Sequence, residues 1–68
     1  MWIRSQDKKT LVKADKLIIG YDKDEKVYEI HNVYDSLGIY KSKERDIEVL
    51  DEIQSCVNNV NIYQMPKV

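Results

Sequence analysis

Ser42-Lys43-Glu44-Arg45-Asp46-Ile47-Glu48-Val49-Leu50-Asp51-Glu52-Ile53-Gln54-Ser55-Cys56-Val57 is the stretch on which the fold turns. At helical spacing Ile47, Val49, Leu50, Ile53, Cys56 and Val57 fall on one side, and Glu44, Glu48, Asp51, Glu52 and Ser55 on the other. That division predicts an amphipathic helix over about 43–57 lying on a core. Ser42 is placed as its N-cap, with a hydroxyl able to accept from an orphan N–H of the first turn, and Glu44 complements the helix dipole. Asn58-Asn59 can supply a left-handed C-terminal cap.

Upstream of the helix the pattern changes to short runs of period two. Trp2-Ile3-Arg4-Ser5 and Thr10-Leu11-Val12 read as strands joined across the polar turn Gln6-Asp7-Lys8-Lys9. Leu17-Ile18-Ile19-Gly20-Tyr21 is rich in β-branched residues and is broken by Asp22-Lys23-Asp24-Glu25. Lys26 to Val33 alternates, with Tyr28 and Ile30 on one face and Val27, Glu29 and His31 on the other. After a turn at Asp35-Ser36, Leu37-Gly38-Ile39-Tyr40-Lys41 forms the last strand before the helix, Gly38 leaving room for close packing or a bulge. Downstream of the helix, Val60-Asn61-Ile62-Tyr63-Gln64-Met65 is strand-like and Pro66 stops it. This tail over 60–65 has three readings: an edge strand, a segment docked on the helix, or an arm reaching a neighbouring subunit.

The architecture expected is therefore α+β. An antiparallel β-meander of four to five short strands within residues 2–41 is followed by one amphipathic C-terminal helix and a short extended tail. Sixty-eight residues allow a single domain, 1–68. A core of that size supplies only about 3–5 kcal/mol of net stability.

Eleven basic residues against twelve acidic ones leave a net charge of −1, so any attraction to nucleic acid or anionic lipid has to be local. Cys56 is the only cysteine, which fits a reducing cytoplasm, and the N-terminal stretch lacks the apolar run of a signal peptide. The longest strongly apolar run, Leu17-Ile18-Ile19, is far short of the roughly 20 residues of a membrane helix. No membrane partner is expected.

Chemistry-bearing constellations are sparse. His31 and Cys56 offer no ligand pairing, so no metal is expected, and Cys56 belongs to the apolar face of the helix. Asp22, Asp24 and Glu25 lack the glycine and distal glutamate of a calcium loop. Gly20 and Gly38 cannot build a phosphate loop, and the acids of the helix share a solvated face. No catalytic residue and no cofactor is indicated, and the chain is not expected to be an enzyme.

Binding residues are easier to name. Trp2 and Arg4 share one strand face, and aromatics and Arg are enriched at interfaces. There are five tyrosines and no Phe, so part of the tyrosine complement must fill the core. Lys8, Lys9, Lys13 and Lys16 lie near Trp2 and Tyr21 in sequence, a base-stacking pattern interrupted by Asp7, Asp15, Asp22 and Asp24.

The segments Met1-Trp2-Ile3-Arg4-Ser5-Gln6, Leu37-Gly38-Ile39-Tyr40-Lys41-Ser42-Lys43-Glu44-Arg45, Val49-Leu50-Asp51-Glu52-Ile53-Gln54 and Tyr63-Gln64-Met65-Pro66 together resemble small uncharacterised proteins of Gram-positive bacteria and their phages. The resemblance covers both ends and the strand-to-helix junction, and not Thr10 to Asp35. It implies a bacterial or prophage setting and no residue roles.

Two functions compete on these grounds. The first is a non-catalytic interaction module that self-associates as a homodimer or meets another protein through Trp2 and Arg4, or through the tail around Tyr63 and Met65. The alternative is a nucleic-acid-associated accessory or regulatory factor of phage or mobile-element origin.

Overall fold

The computed structural model describes residues 1–59 and 61–68, so Val60, where the tail was expected to begin, lies outside the described residues. The chain runs β1 (Trp2–Arg4), β2 (Leu11–Lys13), β3 (Ile18–Asp22), β4 (Val27–His31), β5 (Ser36–Tyr40), α1 (Lys43–Cys56) and β6 (Ile62–Gln64). This is the α+β architecture expected, with one refinement. The strands divide into two three-stranded sheets, ordered β2-β1-β6 and β3-β4-β5. β2 pairs with β1 alone, and the meander proper is β3-β4-β5.

The tail resolves as an edge strand. β6 pairs parallel to β1, setting Trp2 opposite Ile62, Ile3 opposite Tyr63 and Arg4 opposite Gln64. Its alternation buries Tyr63 and then Met65 beyond it, while Ile62 stays exposed. These join Ile3, Ile30, Leu37, Tyr40 and Val49 in one core shared by both sheets and the helix.

The polar turns predicted from sequence are each closed by an acid or amide side chain. Asp7 Oδ1 accepts from Ser5 Oγ (2.6 Å) and from the Lys9 amide (2.9 Å), with Lys8 at φ 67° in the same turn. Asp22 Oδ1 accepts from the amides of Asp24 and Glu25, and Lys26 takes φ 55°. Asp22 is thus the closing residue of a turn. Asn32 Oδ1 accepts from the amides of Tyr34 (3.0 Å) and Asp35 (2.7 Å), which leaves Val33 and Tyr34 at an exposed tip.

Ser42 caps α1 as expected, its Oγ accepting from the Arg45 amide at 3.1 Å. The other end differs from expectation. Asn58 and Asn59 do not take the left-handed conformation; the helix tightens instead through bonds from the Val57 amide to Gln54 O and from the Asn59 amide to Cys56 O. The buried stripe is also shifted. Ile47 and Val57 are exposed, and Asp46 is fully buried beside Val49, with Leu50, Ile53 and Cys56 partly covered. Positions 46, 49, 50, 53 and 56 follow one face more closely than a set including 47, so an acid occupies a place the apolar count had assigned to Ile47.

Candidate functional site

β1 is the central strand of its sheet, and alternation turns Ile3 inward and Trp2 and Arg4 outward. The register then fixes what surrounds them. Trp2 is flanked by Lys13 of β2 and Ile62 of β6, and Arg4 by Leu11 and Gln64. All six are exposed, Trp2 at 44%, and none is acidic. Because Ile3 on the inner side lines a groove with Leu50, Ile53 and Val57 of the helix segment, the Trp2 face points away from that segment. The surface is therefore apolar in its body and basic at Arg4 and Lys13.

Of the four residues expected to form an interface, Trp2 and Arg4 are brought together on this face. Tyr63 and Met65 are not available to a partner and that expectation is corrected. Tyr63 is 5% exposed and its hydroxyl donates to Glu52 Oε1 at 2.9 Å. Met65 is 1% exposed and its methyl group packs over Gly38. Burial first, and then the Glu52 carboxylate, push the Tyr63 phenol well above its ordinary range. The period-two pattern contained this signal, since β6 had to present one face to a core that lacks Phe.

The charges segregate. The β1–β2 hairpin over residues 1–13 carries Arg4, Lys8, Lys9 and Lys13 against Asp7 alone, whereas α1 carries Glu44, Asp46, Glu48, Asp51 and Glu52 against Lys43 and Arg45. Asp7 remains in place as the closing residue of the hairpin, its carboxyl held below the usual range by the Ser5 hydroxyl first and the Lys9 amide second. A net charge near zero thus conceals a basic hairpin face and an acidic helix.

The basic surface continues past Lys13. An open groove of about 250 Å³ is lined by Lys13, Asp15, Lys16, Asn32, Val33 and Tyr34, and Tyr34 is 92% exposed at its rim. Tyr34, and not Tyr21, lines this groove with Lys13 and Lys16. Tyr21 belongs to β3, where its ring sits 4.9 Å from that of Tyr28.

The remaining candidates are structural in their contacts. His31 Nδ1 lies 2.9 Å from the Asn32 carbonyl oxygen, and the ring lies over Gly20. Among the described residues no three His, Cys, Asp or Glu side chains are grouped to hold a metal ion, and no helix is long and apolar enough to cross a membrane. Arg45 donates through Nε and Nη2 to Val68 O at 3.1 and 3.0 Å, and its guanidinium lies 5.9 Å from the centre of the Tyr40 ring.

Compared with models of known families, with curated proteins and with solved structures, the chain finds no match.

Proposed function

We propose that this protein is a non-catalytic interaction module that takes an anionic macromolecule on the outward face of the β2-β1-β6 sheet. The observation that carries this reading is the composition of that face: Trp2 and Arg4 on its central strand, Lys13 and Leu11 across from them on one side, Ile62 and Gln64 on the other, and none of the six an acid. Large exposed apolar groups rimmed by charge mark interaction surfaces. Pairing two copies through this face would set Arg4 and Lys13 of one against those of the other, and like charges in contact oppose association. Pairing the hairpin face of one copy with the acidic helix of another joins two different surfaces, a geometry that extends without closing unless rotation makes a ring. An anionic partner suits the face better than a second copy.

Retention on a heparin column tests the proposal, with elution salt as the readout. The double variant Arg4→Glu/Lys13→Glu elutes earlier than the wild type, while Lys23→Glu/Lys26→Glu, in the β3–β4 turn, elutes close to it once the change in net charge is matched. Equal elution of the two double variants overturns the assignment of the face.

A further inference from the structure

We propose that the anionic partner is single-stranded nucleic acid, whose bases stack on Trp2 and Tyr34 while its phosphates meet Arg4, Lys13 and Lys16; this rests on the function proposed above and names its ligand. The geometry supplies a track and not a point. Trp2 adjoins Lys13 by strand register, and Lys13 shares a groove with Lys16 and Tyr34. Two exposed aromatic rings are thus joined by two lysines, with Arg4 two residues along β1 from Trp2 and Lys8 and Lys9 in the hairpin turn beyond Arg4.

The choice among polyanions follows from what the rings add. Phosphate alone is served by lysines and gains nothing from an exposed Trp or Tyr, whereas an unpaired base offers a π face to each. A duplex keeps its bases stacked on one another and presents only phosphate and groove edges, so Trp2 and Tyr34 would stay idle against it. An acidic peptide would satisfy the lysines without engaging a ring 92% exposed at a loop tip. Asp15, on the groove wall between the lysines, and Asp7, in the hairpin, keep the track weakly basic. Affinity that leans on stacking is the consequence.

The chain carries its own probe, because Trp2 is the only tryptophan. Its fluorescence is followed at low salt on titration with an oligothymidylate, a duplex of equal length, inorganic polyphosphate and poly-glutamate. The expected result is quenching by the single strand at concentrations where the other three leave the emission unchanged. Binding of a labelled oligothymidylate, read by anisotropy, weakens about 5- to 50-fold in Tyr34→Ala and in Trp2→Ala, and Trp2→Phe recovers most of the loss. The logarithm of the affinity falls with the logarithm of salt at a slope of about −2 for three phosphate contacts, and Arg4→Ala makes it shallower by about 0.7. Tyr34 lies on an exposed turn, so its variant tests the stacking even if substitution at Trp2 disturbs the sheet.

Equal binding of polyphosphate, duplex or poly-glutamate with no effect of Tyr34→Ala overturns the single-strand assignment and leaves the polyanion face standing. No binding of any probe, together with no effect of Arg4→Glu/Lys13→Glu on heparin, overturns both.

Discussion

The side-chain amide of Gln6 pairs with the main chain of Ile39 in both directions, Oε1 accepting from the Ile39 amide at 2.9 Å and Nε2 donating to its carbonyl oxygen at 3.1 Å. Gln6 thereby acts as a strand of one residue along β5. Its Nε2 also reaches Lys67 O at 2.7 Å, and its main-chain amide reaches Leu37 O at 2.7 Å. These bonds join the β1 end of one sheet to the last strand of the other.

Gln6→Ala therefore destabilises the fold by about 1–3 kcal/mol, the sum of a few partly exposed hydrogen bonds. Gln6→Glu keeps the acceptor but sets a carboxylate oxygen against the carbonyl oxygens of Ile39 and Lys67, so it costs at least as much as Gln6→Ala. Urea denaturation measures the stability, and amide exchange locates it. Protection at Ile39 should drop more than protection at Val27, and an unchanged Ile39 amide would show that the bridge contributes nothing.

Asp46 governs a pH dependence. It is fully buried, neither carboxylate oxygen has a hydrogen-bond partner among the described residues, and desolvation raises its pKa from the ordinary 3.8 to about 6. Between those values the folded state holds a proton that the unfolded state has released, so stability falls as pH rises from about 4 to 6 and the loss is complete above. A shift of this size corresponds to roughly 3 kcal/mol. Asp46→Asn removes the titration. Melting curves should show the variant gaining on the wild type between pH 4 and pH 7 and matching it below pH 4; a constant difference across that range would refute the buried-acid account.

Gly38→Ala is a packing test. A Cβ at this position would lie 2.8 Å from the Tyr40 ring and 2.9 Å from the Met65 methyl group, both in the core. Tyr40 is also held by its hydroxyl, which donates to Pro66 O at 2.8 Å, so the ring has little freedom to retreat. Overpacking of this kind costs about 1–3 kcal/mol. A melting temperature unchanged from wild type would mean that the core yields more readily than these contacts indicate.

Tyr63→Phe and Tyr63→Ala separate two roles of one residue. The first loses only the bond to Glu52 and costs about 1 kcal/mol; the second also opens a cavity and costs about 3–5 kcal/mol. Tyr63→Phe should leave sedimentation behaviour at native conditions unchanged, since its ring stays buried within the chain, whereas Tyr63→Ala, costing about as much as a core of this size supplies, should leave much of the chain unfolded. Their common readout is the denaturation midpoint.

The helix, its N-cap and the inward alternation of β4 were legible in the sequence because each depends on neighbours within one or two turns of chain. Ser42, Ile30 and Val49 take the places their spacing dictates. The division into two sheets was not legible, because Lys13-Ala14-Asp15-Lys16 reads equally well as a turn within one meander or a passage between two sheets. The burial of Asp46 escaped for a related reason: hydropathy counts assigned the stripe to Ile47, and only the angle at which α1 meets β4 and β5 selects between them. Of the outward face of the β2-β1-β6 sheet, Trp2 and Arg4 were visible from alternation. Leu11, Lys13 and Ile62 joined them through pairing register, and Tyr34 through the turn closed by Asn32, neither of which residue type alone discloses.

The parallel pairing of β6 with β1 gives this small molecule an unusual order of assembly. β3, β4 and β5 are linked by short turns, whereas the pairing of Trp2 with Ile62 joins residues separated by almost the whole chain. Contacts so distant along the chain close large loops and slow folding. Until they form, β1 offers an open edge on the side that β6 will cover, the feature by which strands recruit the wrong neighbour. Folding rate and loss to aggregation should therefore respond to changes in Ile62–Gln64 far more than to changes in the β3–β4 hairpin, even where the two lower stability equally.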